Sequence, residues 1–230
     1  MASTPESDPN QPLEAIWLGR FGFEEALKLQ QTRREAVVEG RAGPCLYLVE
    51  HPPTVTLGRR ATREHVLWSG EQIDQAGLSV CETPRGGEAT LHAPGQLVVY
   101  PVIHVGRQIR AHIVGLAEVA IALLEQLGVR GAAFRMDHPG VWIGPQKIAS
   151  IGVHIRRGVS IQGLALNLDV APGFFTALVS CGLPDVEIIS ARQVGARPID
   201  VAEAARCYAE LYAEHLGAEL LWVDAPSGSS

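Results

Sequence analysis

Ile148-Ala149-Ser150-Ile151-Gly152-Val153-His154-Ile155-Arg156-Arg157-Gly158-Val159-Ser160-Ile161-Gln162-Gly163-Leu164-Ala165-Leu166-Asn167-Leu168 decides the fold. Two apolar runs, 148–155 and 159–168, read as strands, and only Arg156-Arg157-Gly158 separates them. So short a connection joins antiparallel neighbours, because a parallel crossover needs a dozen or more residues. The prediction is a mixed, mainly antiparallel sheet rather than a doubly wound parallel one.

Outward from this pair, strands are expected at Ala15–Leu18, Cys45–Val49, Leu78–Glu82, Gln96–Ile103 and Val141–Ile143. Helices are expected over about 23–39, 110–127 and 199–216. In the second of these, Ile113, Leu116, Ala117, Ala120, Leu123, Leu124 and Leu127 recur at helical spacing and form a core-facing stripe. The fold class is therefore α/β (α+β), a sheet flanked by helices. Residues 13–223 form one domain, with polar, Pro- and Ser-containing flexible tails at 1–12 and 224–230.

Composition narrows the function. With 230 residues, 47% apolar and 19% charged, the chain has material for one core and is neither disordered nor fibrous. A net charge of −6 argues against nucleic-acid binding. No run reaches the length of a membrane span, and the N-terminus has no signal-peptide pattern. Cys45, Cys81, Cys181 and Cys207 are too scattered for a disulfide framework. The chain reads as cytoplasmic.

Three segments carry unusual residue choices. In Arg85-Gly86-Gly87-Glu88-Ala89-Thr90-Leu91-His92, the glycines let backbone approach a ligand, Arg85 offers a fork of donors for a carboxylate or phosphate, and His92 could orient a carbonyl or carry a proton. The plain alternative is a tight turn before a hairpin. In Lys147-Ile148-Ala149-Ser150-Ile151-Gly152, a lysine opens an apolar strand. Of 19 basic residues only Lys28 and Lys147 are lysines, and a lysine can release a proton where an arginine cannot. Lys28 belongs on a solvated helix face, and His154 reads as a buried, hydrogen-bonded histidine. In Ser180-Cys181-Gly182, a thiol beside a glycine is a candidate nucleophile, provided a nearby cation stabilises its thiolate. Cys45, Cys81 and Cys207 read as small buried hydrophobes. The eight histidines show no metal-ligand spacing, and no Gly-x-Ser-x-Gly elbow is present.

As an ordered set, His51-Pro52-Pro53-x-x-Thr56-Leu57-Gly58-Arg59, Arg85-Gly86-Gly87-x-x-Thr90-x-His92-x-Pro94-Gly95-Gln96-Leu97, Tyr100-Pro101, Pro139-Gly140-Val141-Trp142, Lys147-Ile148-Ala149-x-Ile151-Gly152, Gly163-x-Ala165-x-Asn167 and Cys181-Gly182 resemble the lipoyl(octanoyl) transferase family over about residues 13–215. The resemblance implies a fold like that of biotin and lipoate protein ligases, with an acyl cavity. It implies Cys181 as acyl-thioester nucleophile and Lys147 as the cation that lowers its pKa. Substrate contacts would come from Arg85, Gly86, Gly87, Glu88, Ala89, Thr90, Leu91 and His92, from Ser150, Ile151 and Gly152, and from Gly163, Leu164 and Ala165. The family usually has Tyr at Leu91, Gly at Ala93 and His at Gln162; an amide at 162 keeps hydrogen bonding but has no acid–base role.

The implied activity is transfer of octanoyl from octanoyl-acyl carrier protein, through a cysteine thioester, to a lysine of lipoyl domains. The acceptors are those of 2-oxoacid dehydrogenases and the glycine-cleavage H protein. No metal or organic cofactor is implied, and a monomer is expected. Two alternatives remain at this point: an ATP-dependent lipoate or biotin-type ligase, which needs no cysteine, and a non-catalytic module that binds acyl carrier or lipoyl domains. Arg59, Arg60, Arg85, Arg156 and Arg157 are the candidates for a positive mouth toward acidic partners.

Overall fold

The computed structural model describes residues 11–178 and 186–225. Its strands are β1 (Leu13–Arg20), β2 (Cys45–Glu50), β3 (Thr54–Leu57), β4 (Ser79–Glu82), β5 (Ala89–His92), β6 (Gln96–Val102), β7 (Ala132–Arg135), β8 (Gly140–Ile143), β9 (Gln146–Arg156), β10 (Val159–Asn167) and β11 (Leu220–Trp222). Its helices are α1 (Phe23–Val38), α2 (Gly70–Gln75), α3 (Ile109–Gln126) and α4 (Val201–Leu216).

The main sheet has the order β11-β1-β2-β6-β10-β9-β8-β7, and a smaller one the order β4-β3-β5. In the main sheet β1 is parallel to β11 and β2, while the other pairs are antiparallel. The β9–β10 hairpin forms as the sequence predicts, closing through Arg157 (φ 52°) and Gly158 (φ 79°). Two successive left-handed residues give the turn whose twist matches the flanking strands, and Gly158 adopts that conformation without a Cβ penalty.

Alternation along β10 sorts its side chains to two faces. Val159, Ile161 and Ala165 pack with Val98 and Tyr100 of β6 beneath Phe23 and Ala26 of α1. Leu164 and Leu166 join Leu97 and Val99 beneath α3 and α4, where Leu116, Leu123, Leu124 and Tyr208 are fully buried. The predicted stripe on α3 is thus the inner face of the main core. Gln162 breaks the alternation. By position it belongs with Leu164, but its φ is 61° and its Nε2 donates to Thr83 Oγ1 at 2.8 Å, while its N–H donates to Gln30 Oε1 of α1.

The small sheet has a core of its own, with Val55, Leu57, Ala89, Leu91, Val170, Ala177 and Leu178 buried together. Sequence reading misses this unit: β3 and β5 are four residues each, too short for a periodic signal, and the predicted 78–82 strand belongs here rather than in the main sheet. The short β7, β11 and α2 are missed for the same reason. Cys45 is buried as expected, but Cys81 and Cys207 are partly exposed. Lys28 is exposed, as its helix position predicts, whereas His154 is half-exposed, with Nδ1 3.3 Å from Arg34 Nη1.

Candidate active site

The central register places three residues of one predicted segment opposite three of another: Ser150 pairs with Ala165, Ile151 with Leu164 and Gly152 with Gly163. Over this patch lies β5. Thr90 and Ser150 line two adjoining cavities, each about 20 Å³, at the seam between the two sheets. The first is completed by Arg85, His92, Val98, Tyr100, Gln162 and Gly163; the second by Leu91, Gln96, Asn167, Phe175, Leu178 and Ile188. A Cβ on Gly163 would stand 2.3 Å from Val99 O and 2.8 Å from Pro101 Cδ, so β10 and β6 can lie this close only with glycine there.

Arg85 is buried, and its Nη2 donates to Thr56 O at 2.7 Å and Thr56 Oγ1 at 3.0 Å. Burial corrects its place in an exposed positive mouth: the guanidinium ties the 85–88 loop to β3, while Arg85 also lines the first cavity. The backbone continues the tie, since Gly58, Arg59 and Arg60 N–H donate to Glu88 O, Arg85 O and Gly87 O. Gly86, Gly87, Glu88 and Ala89 build this junction and are absent from the two cavity linings. Ile151 faces the main core.

His92 is buried, with Nδ1 2.8 Å from Gln96 Oε1 and its ring stacked on Phe23 at 5.7 Å. Burial, then the neighbouring His51, hold its pKa well below the ordinary histidine value, so it is a neutral Nδ1–H donor. His51 receives the Tyr100 hydroxyl on Nε2 at 2.9 Å and donates from Nδ1 to Phe21 O; burial lowers its pKa to about 4. Gln96 in turn donates to Leu91 O and to Asn167 Oδ1, and Asn167 donates to Ile189 O at 3.0 Å. A buried polar chain therefore runs from the cavity wall to the segment that follows residue 185.

Lys147 is buried at the start of β9, with Nζ 5.3 Å from the centroid of the Trp142 ring. Its side chain crosses β8 over Gly140, where a Cβ would come within 2.6 Å of Lys147 Cε. Its backbone is clamped from both sides: its N–H donates to Glu187 O and its carbonyl accepts from Ile189 N–H. Cys181 lies outside the described residues. The backbone N–H groups of Gly86, Lys147 and Ile151 are engaged with Val153 O, Glu187 O and Pro139 O.

Sequence reasoning did not single out Val98, Tyr100, Gln96 and Asn167 as cavity residues. Gln96 and Asn167 carried a signal: each is a polar residue at the end of an apolar strand, where burial demands partners.

A mixed sheet flanked by helices, with a small sheet closing a narrow cavity over its centre, is the architecture of lipoate and biotin protein ligases. A lipoate-protein ligase A structure bound with ATP superposes with TM-score 0.76 at 14% identity, covering 94% of this chain and 90% of that one. Leishmania major biotin protein ligase with biotinyl-5-AMP gives 0.52 at 12% identity, covering 92% and 77%. Within this fold class, the chain belongs to the lipoyl protein ligase A/B catalytic domain family, whose model matches residues 23–212. Among its relatives, a Maridesulfovibrio salexigens protein named octanoyltransferase is 37% identical over 201 residues, 86% of this chain and 94% of that protein. The family seen in the motifs is thereby confirmed.

Proposed function

We propose that this chain is an octanoyltransferase that carries octanoyl from octanoyl-acyl carrier protein to a lysine of lipoyl domains through a thioester on Cys181. One observation carries the reading. Leu178 and Ile188, on either side of the span containing Cys181, both line the seam cavity, and the backbone flanking Ile188 is hydrogen-bonded to Lys147. The described ends of that span therefore border the cavity in which an acyl chain would lie between Thr90 and Ser150, which supports the reading. The 37% identity to a protein named octanoyltransferase supports the acyl group chosen.

In the first half-reaction the Cys181 thiolate adds to the thioester carbonyl. The C–S bond to the carrier arm breaks, and the departing sulfur takes a proton. Exchange of one thioester for another is close to thermoneutral, so no ATP is consumed. Lys147 stabilises the thiolate by charge and supplies the proton. In the second, the acceptor lysine amine attacks the acyl-enzyme, an amide forms, Cys181 leaves as thiolate, and the amine proton passes to Lys147. Acceptors are the lipoyl domains of 2-oxoacid dehydrogenases and the H protein. The exposed Arg59, Arg60, Arg156 and Arg157 form the docking face for these acidic partners. The enzyme acts as a cytoplasmic monomer. Among the described residues no helix is long and apolar enough to cross a membrane.

The test is intact-protein mass after mixing with octanoyl-acyl carrier protein. Wild type gains one octanoyl group that hydroxylamine removes, Cys181→Ser gains none, and Lys147→Arg gains it slowly. Transfer only with ATP and free octanoate, or an adduct that survives in Cys181→Ser, overturns the reading.

A further inference from the structure

Trp142 is 2% exposed, yet among the described residues it joins none of the three apolar cores. Its ring carries two cations instead: Lys147 Nζ lies 5.3 Å from the ring centroid and the guanidinium carbon of Arg135 lies 4.6 Å from it. β8, which bears the tryptophan, runs between β7 with Arg135 and β9 with Lys147. One indole is thus shared by a buried cation on the site side and an exposed cation on the edge side.

A break in register makes the pairing. Val141 pairs with Ala149, but Trp142 pairs with Lys147, so Ile148 is an extra residue on β9. In an unbroken ladder Trp142 would oppose Ile148, and Lys147 would oppose Ile143. The bulge sends Ile148 into the main core with Val141 and brings Lys147 opposite Trp142 on the other face of the sheet. Gly140, two residues before Trp142, shares that face and pairs with Ser150, which lines both seam cavities. Lys147 Cε lies over Gly140, so the lysine runs from the indole along β8 toward Ser150 and the seam. The indole is itself tied down: its Nε1–H donates to His138 O at 3.3 Å, and Arg135, on the ring, donates from Nη2 to Gly144 O at 2.6 Å.

We propose that Trp142 is a positioning residue for the acyl transfer, its ring holding the Lys147 side chain over Gly140 and aimed at the seam while Arg135 pins the ring. The inference rests on the transfer reading, in which Lys147 holds and moves the proton. A lysine has a four-carbon stem with many rotamers, and proton transfer needs one of them, so an attractive wall that selects it raises the rate of the chemical step. Trp142 is absent from both cavity linings and acts through the lysine alone.

The experiment exploits the lysine count. Lys28 and Lys147 are the only two, so lysine labelled with carbon-13 at Cε gives two methylene signals from the full chain. Exposed Lys28 gives one averaged proton pair, whereas Lys147 is expected to give two resolved protons displaced upfield by the indole ring current. Trp142→Leu, apolar but without a ring, returns them toward the Lys28 position. Its rate of octanoyl adduct formation at saturating octanoyl-acyl carrier protein falls about tenfold, with the half-saturating concentration unchanged. Trp142→Phe, which keeps a ring face, recovers most of that rate, a rescue that mere filling of space would not require. Arg135→Ala, a change at an exposed position, reduces the ring shift and slows the adduct about twofold. A wild-type Lys147 signal that coincides with Lys28, an unchanged rate in Trp142→Leu, a Trp142→Phe variant as slow as Trp142→Leu, or an Arg135→Ala variant unaltered in both readouts overturns the proposal. No adduct on the wild type overturns the transfer reading and the role with it, while the lysine spectrum still decides where the side chain is held.

Discussion

Gln96 Nε2 donates to Asn167 Oδ1 across 2.9 Å, joining the start of β6 to the end of β10 in the wall of the seam cavity. Because Asn167 also holds Ile189 O, and Ile189 N–H holds Lys147 O, one side chain couples His92 to the strand bearing the site lysine. Asn167→Leu strands a buried N–H on Gln96 and a carbonyl at Ile189. It is expected to cost about 2–4 kcal/mol in urea unfolding and to slow octanoyl adduct formation. An adduct rate equal to wild type would show that the coupling has no bearing on the chemistry.

Gly163→Ala drives a methyl into Val99 O and Pro101 Cδ, both part of the β6 backbone framework. Neither can retreat without parting β6 from β10, so the expected loss is several kcal/mol, about 3 or more. Calorimetry checks it. Gly140→Ala meets Ala149 O as well as Lys147 Cε and displaces the lysine; its acyl-transfer rate falls more than its stability alone explains.

Arg157 holds φ 52° with a side chain that disfavours it. Arg157→Asn, suited to the left-handed first position of this turn, is expected to raise stability by about 0.5 kcal/mol. The urea midpoint reads the change with the slope unaltered.

Acid sensitivity has a defined window. His51 and His112 each have a folded-state pKa lowered from 6.5 to about 4 by burial. Between those values the unfolded chain binds more protons than the folded one, so stability rises with pH and is lost as pH falls from 6.5 toward 4. Each contributes about 3 kcal/mol at most. His112→Gln flattens this part of the profile, and an unchanged slope between pH 4 and 6.5 would count against the assignment.

Exposed Arg59, Arg60, Arg156 and Arg157 predict that the KM for acyl carrier protein rises with salt while kcat holds. Arg59→Glu combined with Arg156→Glu raises KM at low salt by about tenfold. Steady-state kinetics at two ionic strengths decide it.

The sequence made the large elements legible because their periods are long enough to read. The 18 residues of α3 and the β9–β10 hairpin fall within a residue or two of their predicted limits. Of the small sheet it showed only β4, because the four-residue strands β3 and β5 acquire meaning only by pairing across more than thirty residues of chain. At the site, Ser150, Gly152, Gly163, Leu164 and Ala165 could be placed together once two strands were seen to pair. The inward turn of Gln162 could not, because strand alternation assigns it to the other face. The tie of Arg85 to Thr56 was not legible either, since nothing in the sequence reveals that partner.

The seam cavity lies where separately packed cores of the two sheets meet. If an acyl chain lodges there as proposed, it buries surface against both, so its binding energy is also an energy of adhesion between them. Amides of β3, β4 and β5 should therefore exchange with solvent more slowly once Cys181 is octanoylated, while those of α3, anchored wholly in the main core, keep their rates. On the proposed mechanism the substrate becomes, for the lifetime of the thioester, a piece of the protein's own interior.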